Sequence, residues 1–202
     1  MSWNLFLALA AAYLLGAVPW GYLIYRGRTG RDIRGEGSGN IGATNVARLA
    51  GTAAGVLTLA LDVAKGYGSV WLASWVSGGD RAWMAAAAVA VLIGHMFPVF
   101  LRFRGGKGVA AALGAFSALS PSAVLVVLAV FVAVVAVTRY VSLGSIIGAA
   151  LFPIAAWFLQ RPPLAQTAGA VVAGALIILK HRANIQRLLA GAENRLTLGK
   201  QA

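Results

Sequence analysis

The chain has 202 residues, 60% of them hydrophobic and 11% charged, with a formal net charge of +12 and no cysteine. That balance excludes an ordinary soluble domain and marks an integral membrane protein; it also removes disulfides, thiolate metal sites and cysteine nucleophiles. The basic residues fall between apolar runs, which fits positive-inside retention and anionic ligands better than nucleic acid.

The first apolar run, 5–25, has no basic residue ahead of it and arginines behind it. It reads as a retained span rather than a cleaved signal peptide. Beyond Arg26, Arg28, Arg31 and Arg34 comes Gly37-Ser38-Gly39-Asn40-Ile41-Gly42-Ala43-Thr44-Asn45, with Arg48 three residues further on. The formal G-x-G-x-x-G lacks the strand that a dinucleotide fold requires. Its physics still transfers: glycines let backbone N–H groups turn toward one anion, and a following helix start adds partial positive charge. Gly37, Gly39, Asn40, Thr44 and Asn45 are therefore candidate substrate ligands, with Ser38 and Arg48 nearer the chemistry.

The second run, 53–76, carries Asp62 and Lys65 three residues apart, expected to pair because either alone in lipid is costly. The third, 83–101, contains His95 ahead of Pro98, expected to make a hydrogen-bonded helix contact rather than act as a base. Arg104-Gly105-Gly106-Lys107-Gly108 follows. A P-loop reading fails, because Leu101 stands where the first glycine should be and Gly108 where Ser or Thr should be. What remains is a glycine loop with one lysine opening a helix, suited to a phosphate; Gly105, Gly106, Gly108 and Lys107 are the candidates.

Segments 109–119 and 121–137 are separated at Ser120-Pro121, and the first is short for a crossing. Run 142–159 opens with Ser142 and Ser145, two further candidate hydroxyl donors, and run 164–179 leads into Lys180-His181-Arg182-Ala183-Asn184. Read as one continuing helix, this last stretch sets His181, Asn184 and Arg187 on one face. His181 suits a general base, a phosphate ligand or a polar helix cap, and Glu193 suits an ion pair that ties down the tail. Two histidines and five carboxylates, scattered, give no metal-ligand spacing, and no cofactor is expected.

Counting 109–119 as a crossing gives an all-α bundle of seven transmembrane helices, one short, in a single domain 1–202. With the N-terminus periplasmic and the C-terminus cytoplasmic, Arg26 through Arg48, Arg102, Arg104, Lys107, Arg139 and the tail from Lys180 to Lys200 lie inside. Only Arg81 and Arg161 lie outside, the asymmetry that the positive-inside rule favours. A transporter of a phosphorylated metabolite is the alternative, but it predicts inverted repeats and midplane polar sites, and neither is evident.

Three ordered segments resemble the motifs of the bacterial acyl-phosphate:glycerol-3-phosphate acyltransferase family, PlsY. They are Gly37 to Asn45 with Arg48; Gly94-His95 with Pro98, Phe103 and Gly105-Gly106-Lys107-Gly108; and Lys180-His181 with Asn184, Arg187, Gly191 and Glu193. Asp62-x-x-Lys65-Gly66 resembles a fourth, and the likeness runs over nearly the whole chain. It implies acyl transfer from acyl phosphate to the 1-hydroxyl of glycerol 3-phosphate at the cytoplasmic face of the inner membrane. It also implies that Ser38, Arg48, Lys107, His181 and Asn184 line the site, with the second motif's glycines serving the acyl phosphate. A monomer in contact with membrane lipid is expected.

Overall fold

The computed structural model describes residues 3–196; Lys200 and the extreme ends of the 1–202 unit lie outside them. Among the described residues every regular element is helical. The helices are α1 (Trp3–Ala17), α2 (Trp20–Thr29), α3 (Ala43–Ala50), α4 (Thr52–Ser77) and α5 (Arg81–Met96), then α6 (Val109–Leu119), α7 (Pro121–Thr138), α8 (Val141–Gln160), α9 (Leu164–Lys180) and α10 (Arg182–Leu189).

Apolar faces decide what packs on what, but small residues decide how closely. A Cβ on Gly16 of α1 would overlap the Val91 carbonyl of α5, and one on Gly94 of α5 would overlap that of Tyr13 on α1. Gly66 of α4 and Gly114 of α6 stand in the same reciprocal relation to Ala111 and Val63. These close backbone approaches supply dispersion contact where lipid offers no hydrophobic driving force. They set α5 among α1, α4, α6 and α9. α7 packs chiefly on α8, and α6 meets α8 through the rings of Phe116 and Phe152.

Two expected continuous helices are broken. The run 5–25 divides at Val18-Pro19, because proline has no N–H to donate and its ring clashes with the preceding turn. The carbonyls of Gly16 and Val18 instead accept from Lys65 Nζ, each at 2.9 Å. Lys65 also meets Asp62 Oδ1 at 2.9 Å, so the expected pair forms and caps a broken helix as well. His95 Nδ1 lies 3.6 Å from the same carboxylate oxygen, too far for a hydrogen bond, and its ring packs against Gly106 instead. The second break is at His181, where the chain turns by 56° between α9 and α10.

By length and composition, the α1–α2 unit, α5 with the turn after it, α7 and α8 can each cross a membrane, and α9 with α10 makes a fifth. α4 has 26 residues, about 39 Å at 1.5 Å per residue, but its charged pair dilutes its apolar character. α6, with 11 residues, reaches only about 16 Å and leans on α4 and α5.

Candidate active site

The loop between α2 and α3 is shaped from below. Tyr25, Ile33, Ile41, Val46 and Leu101 form a buried cluster under it, and Tyr25 Oη donates to Glu36 Oε2 at 2.7 Å. The buried Asn45 side chain then organises the turn. Its Nδ2 donates to the carbonyls of Asn40 (2.9 Å) and Glu36 (3.2 Å), and its Oδ1 accepts from the Ser38 N–H at 3.0 Å. Asn40 Oδ1 accepts from the Gly42 N–H at 2.9 Å. Gly37 and Gly39 adopt left-handed φ of 58° and 68°, which an L side chain rarely does. The loop therefore delivers Ser38, Thr44, Arg48 and the first N–H groups of α3 to one cavity wall.

The second glycine segment folds against His95. The Gly105 N–H donates to the Met96 carbonyl (3.2 Å) and the Gly106 N–H to the His95 carbonyl (3.0 Å). A Cβ on Gly106 would overlap the His95 ring. The N–H groups of both glycines are thus taken up within the protein, and neither glycine is among the residues that line the cavity. Gly108, at φ 84°, swings the chain into α6, so Lys107 and the unsatisfied N–H groups of the α6 first turn line the cavity instead. Two helix starts, α3 and α6, face one space, and each presents partial positive charge.

The third segment closes the ring. Lys107 Nζ donates to Asn184 Oδ1 at 2.5 Å, and Asn184 Nδ2 donates to Glu193 Oε1 at 2.6 Å. Glu193 also accepts from Ser142 Oγ at 2.9 Å and Arg187 Nε at 2.7 Å. Ser145 Oγ donates to the Val141 carbonyl of its own helix at 2.9 Å. Both serines line the cavity, but their hydroxyls are engaged within the protein rather than offered to a ligand as expected. Burial pushes the Glu193 carboxyl up, yet the bonds from Asn184, Ser142 and Arg187 outweigh it and leave it below its ordinary value. Glu193 was missing from the candidate ligands because its place depends on the turn at Gly191 that folds the tail back. The sequence did signal it as a member of the third motif and as half of an ion pair, which forms here with Arg187.

Burial pushes the Lys107 ammonium down to about 8, opposed by Glu193 and helped by Arg187 and Lys180. His181 stands at the bend, one residue beyond α9, with its Nδ1 2.7 Å from the Ile177 carbonyl. A carbonyl only accepts, so Nδ1 carries the proton and Nε2 is left as an acceptor. Burial pushes this imidazole down to about 4, so the ring is neutral near pH 7.

Of the sequence candidates, Ser38, Asn40, Thr44, Asn45, Arg48, Lys107, Gly108, Ser142, Ser145, His181, Asn184 and Arg187 line one cavity of about 480 Å³. Gly37, Gly39, Gly105 and Gly106 are not among its lining residues. Below the polar mouth the cavity continues as an apolar channel between α6, α7, α8 and α9. No group of acids and histidines able to hold a metal occurs among the described residues.

Cationic donors over an apolar channel, inside a helical membrane protein, make one amphipathic cavity. The sequence profile of the family described as glycerol-3-phosphate acyltransferase matches residues 6–191. Curated proteins of that name from Trichlorobacter lovleyi and Geobacter sulfurreducens are 50% and 48% identical, over 93% and 92% of this chain and 95% and 94% of theirs. The crystal structure of PlsY (YgiH), an integral membrane glycerol 3-phosphate acyltransferase, in its glycerol 3-phosphate form superposes with a TM-score of 0.91. It shares 41% identity and covers 96% of each chain. The lysophosphatidic acid form of PlsY gives a TM-score of 0.87 at 40% identity, over 96% of this chain and 95% of that one. This chain belongs to the glycerol-3-phosphate acyltransferase family.

Proposed function

We propose that the chain transfers a fatty acyl group from acyl phosphate to the 1-hydroxyl of sn-glycerol 3-phosphate, releasing lysophosphatidic acid and inorganic phosphate. The observation that carries this reading is the junction in one cavity of two helix N-termini, Lys107 and Arg48 with an acyl-sized apolar channel. Both substrates are phosphates, which explains a mouth rich in cations and N–H donors. Glu193, the carboxylate at the mouth, is engaged by Asn184, Ser142 and Arg187.

Acyl phosphate is a mixed anhydride with a good leaving group, so the glycerol hydroxyl attacks the carbonyl carbon directly and no acyl-enzyme forms. The C–O bond to glycerol forms as the C–O bond to phosphate breaks. Lys107, Arg48 and the α3 and α6 N–H groups hold the phosphates and the developing oxyanion. Nε2 of the neutral His181 accepts the hydroxyl hydrogen bond and orients the nucleophile. The hydroxyl proton ends on the departing phosphate, so the reaction balances with no proton taken from solvent. Asn184, fixed by Glu193, steadies the Lys107 ammonium.

The same reading makes the chain one seven-span unit acting as a monomer, with its site on the cytoplasmic face of the inner membrane. In support, Arg48, Lys107, Arg139, Lys180 and Arg195 gather at the end that carries the mouth, and Arg81 and Arg161 at the other. The transporter alternative lacks support, since the cavity's phosphate-binding candidates sit at one end.

The test mixes purified protein in detergent with glycerol 3-phosphate and palmitoyl phosphate, following phosphate release and lysophosphatidic acid, with palmitoyl-CoA in parallel. Product from acyl phosphate alone, lost in Lys107→Ala, is expected. Turnover with palmitoyl-CoA only would overturn the assignment of the donor.

A further inference from the structure

The channel below the mouth is bounded by one stripe from each of four helices. On α7 the lining residues are Val124, Val127, Leu128, Phe131 and Val135, spaced as one helical face. On α8 the adjoining surface is Gly144, Gly148 and Ala149, and the α7 side chains Phe131, Val135 and Val127 lie close against the two glycines. Val135 stands level with Gly144 near the mouth, since a Cβ on that glycine would lie 3.0 Å from Val135 Cγ2.

At the far end the stripes converge. Phe116 of α6 and Phe152 of α8 pack with ring centroids 4.6 Å apart, and both are buried, as is Val124 beside them. This end is braced from behind. The Leu119 carbonyl, where α6 ends, accepts from Arg81 Nη1 at 3.0 Å and from the buried Gln166 Nε2 at 3.3 Å. Gln166 Nε2 also donates to Ser120 Oγ at 2.9 Å. A floor fixed by such bonds cannot recede cheaply when a longer chain presses on it.

We propose that Phe116, Phe152 and Val124 form a chain-length ruler, selecting acyl groups of about fourteen to sixteen carbons by the rise of α7. The proposal rests on the acyl-transfer reading above and deepens it. From Val135 to Val124 is eleven residues, about 16.5 Å along the helix axis. An extended chain with bonds near 1.5 Å and angles near 111° advances about 1.25 Å per carbon, so about thirteen carbons fill that depth. The carboxyl end lies above Val135, at the level of Ser142 and Lys107, and accounts for the remainder.

The test compares kcat/KM for acyl phosphates from twelve to twenty carbons in the wild type, Phe152→Ala and Val124→Phe. The wild type should peak at fourteen to sixteen and fall about fourfold for each further carbon that the floor excludes from burial. Phe152→Ala should move the optimum up by two or more carbons, and Val124→Phe should move it down. If Phe152→Ala does not fold, Phe152→Leu gives the same direction with less loss of packing. Global damage lowers all chain lengths together, so a moved optimum reports the ruler itself. Profiles that stay parallel in every folded variant would show the chain leaving sideways past the exposed Leu128 into lipid, and would overturn the ruler while leaving the activity standing. No turnover of any acyl phosphate by the wild type would overturn the underlying reaction instead.

Discussion

Lys107 is held as a buried cation at the cost of fold stability, so its titration should move activity and stability in opposite directions. Burial lowers its value from 10.5 to about 8. Below about 8 both folded and unfolded chains carry the proton, and the destabilisation is fully present. Between about 8 and 10.5 the unfolded chain binds more protons than the folded one, so stability rises with pH. The full window of about 2.5 pH units corresponds to about 3 kcal/mol at 1.36 kcal/mol per unit. Activity that needs the ammonium runs the other way. A group with a value of about 8 is about nine-tenths protonated at pH 7 and about one-tenth at pH 9, so kcat/KM should fall about tenfold across that range. Lys107→Met should be inactive yet unfold at a higher temperature than the wild type at pH 7. Lys107→Arg should lose the alkaline limb, because guanidinium stays charged, with a lower plateau from its different shape. The assay pairs phosphate release with thermal unfolding in detergent, in protein free of phosphate. Activity and unfolding temperature that fall together from pH 7 to 9 would refute the reasoning.

Three further outcomes follow from contacts described above. Lys65→Met strands the Asp62 carboxylate and the Gly16 carbonyl, while the Val18 carbonyl keeps the Trp20 N–H, and should cost about 3–5 kcal/mol of stability; adding Asp62→Asn should restore part of it, as thermal unfolding would show. Gly106→Ala drives a methyl group into the His95 ring and displaces Lys107, so kcat/KM should fall about 10²-fold with the fold intact by circular dichroism. A general-base role for His181 would make His181→Ala lower kcat by about 10²–10⁴-fold, whereas a loss confined to KM would assign the ring to binding.

The sequence was most legible where punctuation was local. The short helix Val109–Leu119 stands between Gly108 and Ser120-Pro121, and its bounds are those expected. The break at Pro19 was hidden because an uninterrupted apolar run outweighs one proline by composition, while the partner that tolerates the break, Lys65, lies in another span. The bend at His181, where the ring meets the Ile177 carbonyl, is not revealed by residue spacing. At the site, glycine is ambiguous. Gly108 turns a helix start toward the cavity, whereas Gly105 and Gly106 are glycines because His95 and Pro98 leave no room for a Cβ. Serine is ambiguous in the same way: Ser142 and Ser145 reach the cavity, yet they donate their hydrogen bonds to Glu193 and the Val141 carbonyl.

The bond between Lys65 and the broken first helix bears on how the chain enters a bilayer. Alone in hydrocarbon, each charged group near the middle of α4 would cost about 2.5–3.5 kcal/mol to insert. The Gly16 carbonyl left open by the break at Pro19 would be stranded just as badly. Each defect is the other's remedy. The first helix and α4 therefore form one unit of insertion, in which the earlier segment waits with open acceptors and the later one docks on it rather than on lipid. Exchanging the first helix for an unbroken apolar span of equal length would keep its hydropathy and remove its acceptors, and the fault would surface in α4, as a span that fails to stay in the membrane.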